Sequence, residues 1–194
     1  GLLAAFLLAA AAPAAADVPI SKLFFPDEVF RDYVKRFDLP NKDGKRDGML
    51  SYEEIARVSV IVIDASHRAI RSLEGIEYFT GLKQLTCTDT KLTALDLKSS
   101  NENLTTLDVS GCRELENLFC ENNQLRALDL SGCTKLESLY CSKNQLTALD
   151  VSRNTRLYQL YCGNNQLRVL DVSRNTDLRF LSCSNNRLTA LDVS

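Results

Sequence analysis

Hydrophobic and polar positions keep a strict beat through the C-terminal part of the chain. From residue 82 to 194 one unit recurs, seen in Leu136-x-x-Leu139-x-Cys141-x-x-Asn144-x-Leu146-x-x-Leu149-x-Val151 and again at 157 to 172. Cys120, Cys141, Cys162 and Cys183 stand 21 residues apart, as do Leu125, Leu146, Leu167 and Leu188. Each unit splits into halves of 10 and 11 residues, one reading L-x-x-L-x-C and the other L-x-x-L-D-V. Alternating apolar residues in each half predict a short strand, and the Asn- or Gly-containing stretch after it predicts a turn. Such a unit is too small to bury its own leucines. Stacked copies bury them in a continuous column, so the pattern predicts a right-handed solenoid of parallel strands about 4.8 Å apart. One period is then one coil. Val60-Ile63-Ala65 and Ile70-Leu73 are degenerate half-units, and two L-D halves, at Leu92 and Leu104, follow each other directly, which slips the phase by one half-unit.

Ahead of the repeats the pattern changes. Leu2 to Ala12 are all apolar, and Pro13 with Ala14-Ala15-Ala16 leads to Asp17. This predicts an export signal over residues 1–16 rather than an anchor, because the run is shorter than the roughly 20 residues a bilayer requires. Pro26 to Phe37 sets Val29, Phe30, Tyr33, Val34 and Phe37 at helical spacing behind Asp27 and Glu28, the mark of an amphipathic helix. The predicted organisation is a signal at 1–16, a helical cap at 17–59 covering the first coil, and a solenoid at 60–194 cut off within a repeat.

Each column along the solenoid carries its own chemistry. Asn123, Asn144, Asn165 and Asn186, with Asn154 and Asn175 in the other half, are expected to satisfy turn backbone. Cys87, Cys120, Cys141, Cys162 and Cys183 are read as one core row. Bridges, a metal site and small buried hydrophobes are the alternatives for it. Parallel side chains make poor disulfides, and no C-x-x-C pair offers converging zinc ligands, so stacked reduced thiols are favoured. Asp96, Asp108, Asp129, Asp150, Asp171 and Asp192 form an acidic row. Nearby hydroxyls such as Ser152 and Ser173 and turn amides are favoured over divalent cations as its partners. Thr86, Phe119, Tyr140, Tyr161 and Ser182 alternate with the core and point outward. Phe119, Tyr140 and Tyr161 make an aromatic stripe flanked by Asn117, Ser138, Gln159 and Phe180, a candidate ligand surface. The competing reading is ring stacking that only stiffens the sheet.

In the cap, Asp43-x-Lys45-x-Asp47-Gly48-Met49-Leu50-Ser51-Tyr52-Glu53-Glu54 resembles a single EF-hand-type calcium loop. That resemblance implies Ca²⁺ held by Asp43, Asp47, the Met49 carbonyl, Ser51 and a bidentate Glu54, with Gly48 at the sharp turn and Leu50 packing inward. Lys45 stands where the family places a ligand, and Asp38 or Asn41 would have to replace it. Ser51-x-x-Glu54 also reads as a helix capping box, which explains both residues without an ion.

Composition narrows the function classes. The chain holds 32 leucines, 24 of them in residues 82–194, so their excess reports architecture. Lys and Arg number 23 against 25 Asp and Glu, which gives no reason to expect nucleic acid. With one histidine, His67, and no Trp, the chain lacks the usual material for a His-centred metal site or a Ser/His/Asp unit, and no catalysis is expected. The motif L-x-x-L-x-C-x-x-N-x-L resembles the leucine-rich-repeat signature. Its 21-residue, cysteine-bearing form is similar to the internalin type of bacterial surface proteins, fully over 82–194 and loosely over 60–81. The resemblance implies a secreted or cell-surface solenoid that binds a protein or surface ligand, with no membrane span in this chain. The alternative is a structural spacer carrying an anchoring or catalytic domain farther on.

Overall fold

A computed structural model describes residues 17–40, 46–97 and 102–192. The apolar segment 1–16, and Asn41, Asp43 and Lys45 of the calcium-loop reading, lie outside the described residues. The chain runs β1 (Val18–Pro19), α1 (Glu28–Val34), β2 (Met49–Leu50), α2 (Tyr52–Arg57), β3 (Val60–Ile63), β4 (Gln84–Cys87), β5 (Ala94–Asp96), β6 (Thr106–Asp108), β7 (Asn117–Phe119), β8 (Ser138–Tyr140), β9 (Gln159–Tyr161), β10 (Val169–Asp171), β11 (Phe180–Ser182) and β12 (Ala190–Asp192).

From β3 onward every strand pairing is parallel, as expected when successive coils stack. One row of strands runs β5-β7-β8-β9-β11. The other comprises β3-β4-β6 and, farther along, β10-β12. Residues 127–129 and 148–150 hold the same place in the repeat between those two sheets without forming strands. The leucines of both rows, among them Leu118, Leu139, Leu160, Leu130 and Leu170, are buried in one core. Each fully buried leucine contributes about 2 kcal/mol, which is why a coil needs its neighbours. Among the described residues no helix is long and apolar enough to cross a membrane.

Two columns of the sequence reading are rearranged. β4 pairs with β6, setting Thr86 opposite Asp108, while β5 pairs with β7, setting Asp96 opposite Phe119. Asp96 therefore leaves the acidic row and heads the aromatic one, and Thr86 does the reverse. Cys87 likewise leaves the row of Cys120, and its carbonyl accepts from Cys112 Sγ at 2.8 Å. The cause is the phase slip. The chain changes row at every half-coil, so two successive L-D halves must fall on opposite rows.

The cap closes the first coil. Phe25, Phe30, Val34, Leu50, Ile55 and Phe79 are buried in a core continuous with the solenoid's. Asp27 caps α1 through Phe30 N–H at 2.9 Å, and its second oxygen accepts from Arg71 N–H at 2.8 Å, tying the helix start to the first degenerate repeat. Val62 N–H, on the edge strand β3, donates to the Tyr33 hydroxyl at 3.1 Å, so the cap occupies a backbone group that an open edge would present.

Candidate binding face

The row β5-β7-β8-β9-β11 carries the predicted stripe. Phe119 and Tyr140 lie 5.0 Å apart between ring centroids, and Tyr140 and Tyr161 lie 4.5 Å apart and nearly parallel at 14°. Parallel strands in register place the rings one above the next, so Tyr140 and Tyr161 stack through their faces and Phe119 packs against Tyr140 at a tilt of 41°. The Tyr140 hydroxyl donates to Gln159 Oε1 at 2.7 Å. Burial first, then the neighbouring Tyr161 and Glu121, pushes the Tyr140 phenol above its usual range, which keeps it a protonated donor. Asn117, Ser138 and Gln159 are half-buried beside the stripe, whereas Phe180 is 46% exposed.

Tyr158 belongs to this surface although the alternation did not reveal it. It directly precedes β9, is 44% exposed, and meets the Phe180 ring edge-on at 5.5 Å. Counting only the strand residues hides this position. The signal available in sequence was its column, which runs Glu116, Glu137, Tyr158, Arg179 and contains no core residue.

The remaining columns serve the solenoid itself. Asn144 Nδ2 donates to the carbonyls of Cys120 and Cys141 at 2.9 and 3.0 Å, and its Oδ1 accepts from Leu125 N–H at 3.0 Å. Asn165 and Asn186 repeat this pattern. Asn154 and Asn175 differ from expectation. Each donates to two carbonyls, but its buried Oδ1 accepts nothing. One coil earlier Cys133 fills that place and donates its thiol to Val109 O at 3.2 Å, so this position asks only for a donor. All seven thiols are unbridged and, Cys183 apart, buried, and burial pushes Cys133 and Cys162 up to about 12. In the acidic row, Oδ1 of Asp108, Asp129, Asp150 and Asp171 accepts from the backbone N–H two residues on, at 2.9 to 3.0 Å, as the turn reading expected.

In the cap, Ser51 and Glu54 form the capping box that starts α2. Glu54 Oε2 accepts from Ser51 N–H and Oγ at 2.7 and 2.8 Å, and Oε1 accepts from Leu39 N–H at 2.6 Å. Those donors hold the Glu54 carboxyl below its usual range against the opposing effect of burial, the largest single influence on it. Asp47 Oδ1 accepts from Met49 N–H at 2.9 Å, and Gly48 takes the left-handed φ of 75° that the sharp turn requires. Leu50 packs inward. Among the described residues no three Cys, His, Asp or Glu side chains converge as a metal site would demand.

A family model of leucine-rich repeats, two copies, matches residues 113–154. No curated protein matches the chain. Among solved structures, the functional domain of InlJ from Listeria monocytogenes is 29% identical over 92% of this chain, with a TM-score of 0.38, and the chain spans 50% of that domain's length. Internalin C2 from the same organism is 20% identical over 92% of each chain, with a TM-score of 0.42. Internalin InlF, also from Listeria monocytogenes, is 18% identical over 92% of this chain and 78% of its own, with a TM-score of 0.31. The matched units continue after residue 154 at the same 21-residue step and in the same stacked register, and the coils before residue 113 stack on them in parallel at steps of 22 to 24 residues, so the chain folds as a leucine-rich-repeat solenoid and is similar to the internalins.

Proposed function

We propose that the chain is an exported, non-catalytic binding module that uses the β5-β7-β8-β9-β11 face to hold a protein or surface ligand. One observation carries this reading: Tyr158 and Phe180 stand exposed on the same face as the Phe119, Tyr140 and Tyr161 stack, with no core to fill. Stacking alone leaves no reason for Tyr158 and Phe180 to stand exposed beside the half-buried Phe119, Tyr140 and Tyr161, whereas such a surface, rimmed by Asn117, Ser138 and Gln159, suits a partner that excludes water. Replacing Tyr140 and Tyr161 together by Ser abolishes capture of partners from extracellular protein mixtures while the far-UV spectrum stays unchanged. Equal capture by the double variant rejects the reading.

For the cap the proposed role is structural. Both Glu54 oxygens already serve protein donors, so millimolar Ca²⁺ leaves the melting temperature of the chain unchanged. A rise would assign Asp43, Asp47, Met49, Ser51 and Glu54 to an ion instead.

A further inference from the structure

The aromatic face is not uniform along its length. At its N-terminal end Ser72, Leu73 and Glu74 line a cavity of about 230 Å³ together with Ala94, Leu95 and Asp96 of β5. Asp96 is in register with Phe119, so this cavity continues directly into the stripe. Glu116 and Glu137 occupy, two and one coils earlier, the place of Tyr158, whose contact with Phe180 puts that column on this face. Behind the cavity Glu77 is held above the usual carboxylate range by burial, then by the charges of Glu74 and Asp96, which places all three in one neighbourhood. Among the described residues of the same columns the bases are Arg71, at the acidic end, and Arg179, at the opposite end beside Phe180.

We propose that this face docks a cationic polypeptide segment of a partner protein. Its Lys or Arg side chains lie against Glu74, Asp96, Glu116 and Glu137, and its apolar side chains lie along Phe119, Tyr140 and Tyr161. The inference rests on the reading of the face as a binding surface and adds the partner's chemistry and direction. Two observations select this occupant. The carboxylates repel a phosphate backbone. Among the described residues no three Cys, His, Asp or Glu side chains are arranged to hold a metal ion, and Glu74, Asp96, Glu116 and Glu137 follow one another on successive coils, as suits a row of side-chain cations.

The test is fluorescence anisotropy with a short labelled peptide alternating Lys and Leu, against the same peptide with Glu in place of Lys. The cationic peptide binds, and binding weakens as salt rises. The triple variant Glu74→Gln, Asp96→Asn, Glu116→Gln weakens it by about tenfold, since several charge pairs are removed at once. The control triple Asp129→Asn, Asp150→Asn, Asp171→Asn, on the other row, changes it by less than about twofold. Equal weakening by both triples, or equal binding of the acidic peptide, overturns the proposal. Loss of binding in Tyr140→Ser, Tyr161→Ser with none in the acidic triple overturns the charge assignment alone. Loss in neither sinks the binding face as well.

Discussion

The two strand rows share one period and one core yet use their outward positions in opposite ways. On the aspartate row the residue after the core leucine is acidic in every coil from Asp108 to Asp192. Where the bonds are resolved, from Asp108 to Asp171, each carboxylate is taken up by its own turn. On the aromatic row the corresponding places change from Asp96 to Phe119, Tyr140, Tyr161 and Ser182, and from Ala94 to Asn117, Ser138, Gln159 and Phe180. Uniformity marks positions whose partner is the backbone, which is the same in every coil. Variety marks positions whose partner lies elsewhere. A solenoid can therefore keep its scaffold on one side and vary its recognition on the other without disturbing the stacking.

The largest way to break this comparison is through the turns that join the rows. Asn144→Ala leaves the buried Leu125 N–H unpaired and takes one of two donors from each of the Cys120 and Cys141 carbonyls, which keep Asn123 and Asn165, a loss of about 2–3 kcal/mol. Cys133→Ala, in the opposite turn, removes one thiol donor and costs about 1 kcal/mol. Urea unfolding checks both, and equal costs would show that the two turns are equivalent after all. Next comes the outward surface. Tyr140→Ser with Tyr161→Ser loses two ring pairs, about 1–2 kcal/mol of stability, and loses partner capture. Asp150→Asn, which keeps an acceptor for Ser152, changes stability by less than about 0.5 kcal/mol and leaves capture intact. A variant of the aspartate row that abolishes capture would exchange the roles of the two rows.

The period, the core leucines, the Asn turns and the aromatic stripe were legible because each depends on local spacing repeated many times. Which row a half-unit joins was not. Motif type placed Asp96 with Asp108 and Cys87 with Cys120, but the chain changes row with every half-coil, so a single slipped half-unit reassigns them. That slip put an acidic residue at the head of the aromatic row, the feature on which the charge of the proposed partner turns. Tyr158 is unmarked by strand alternation for a related reason, since it lies just outside β9. In the cap, Ser51 and Glu54 supported two readings at once. Only the placement of Leu39 N–H against Glu54 shows how fully the protein itself occupies that carboxylate.

The smallest difference between the rows should appear in acid. Donation from the Ser131 and Ser152 hydroxyls and backbones depresses the folded-state values of Asp129 and Asp150 below their ordinary 3.8. A depressed carboxylate stabilises the fold above its unfolded value and loses that contribution as pH falls through the folded one, here below 3.8. Both groups are exposed, so their joint effect stays below about 1 kcal/mol. Glu77, behind the acidic end of the aromatic row, runs the other way, because burial raises its folded value above the ordinary 4.5. Its ionised form costs stability at neutral pH, and that cost disappears as pH falls through the raised value toward 4.5. Urea midpoints of the chain therefore rise slightly from neutral pH toward 4.5 and decline below 3.8. Glu77→Gln removes the rise and keeps the decline, whereas Asp129→Asn with Asp150→Asn softens the decline and keeps the rise. A rise that survives Glu77→Gln would detach it from the acidic end of the aromatic row and leave the two rows alike in their response to protons.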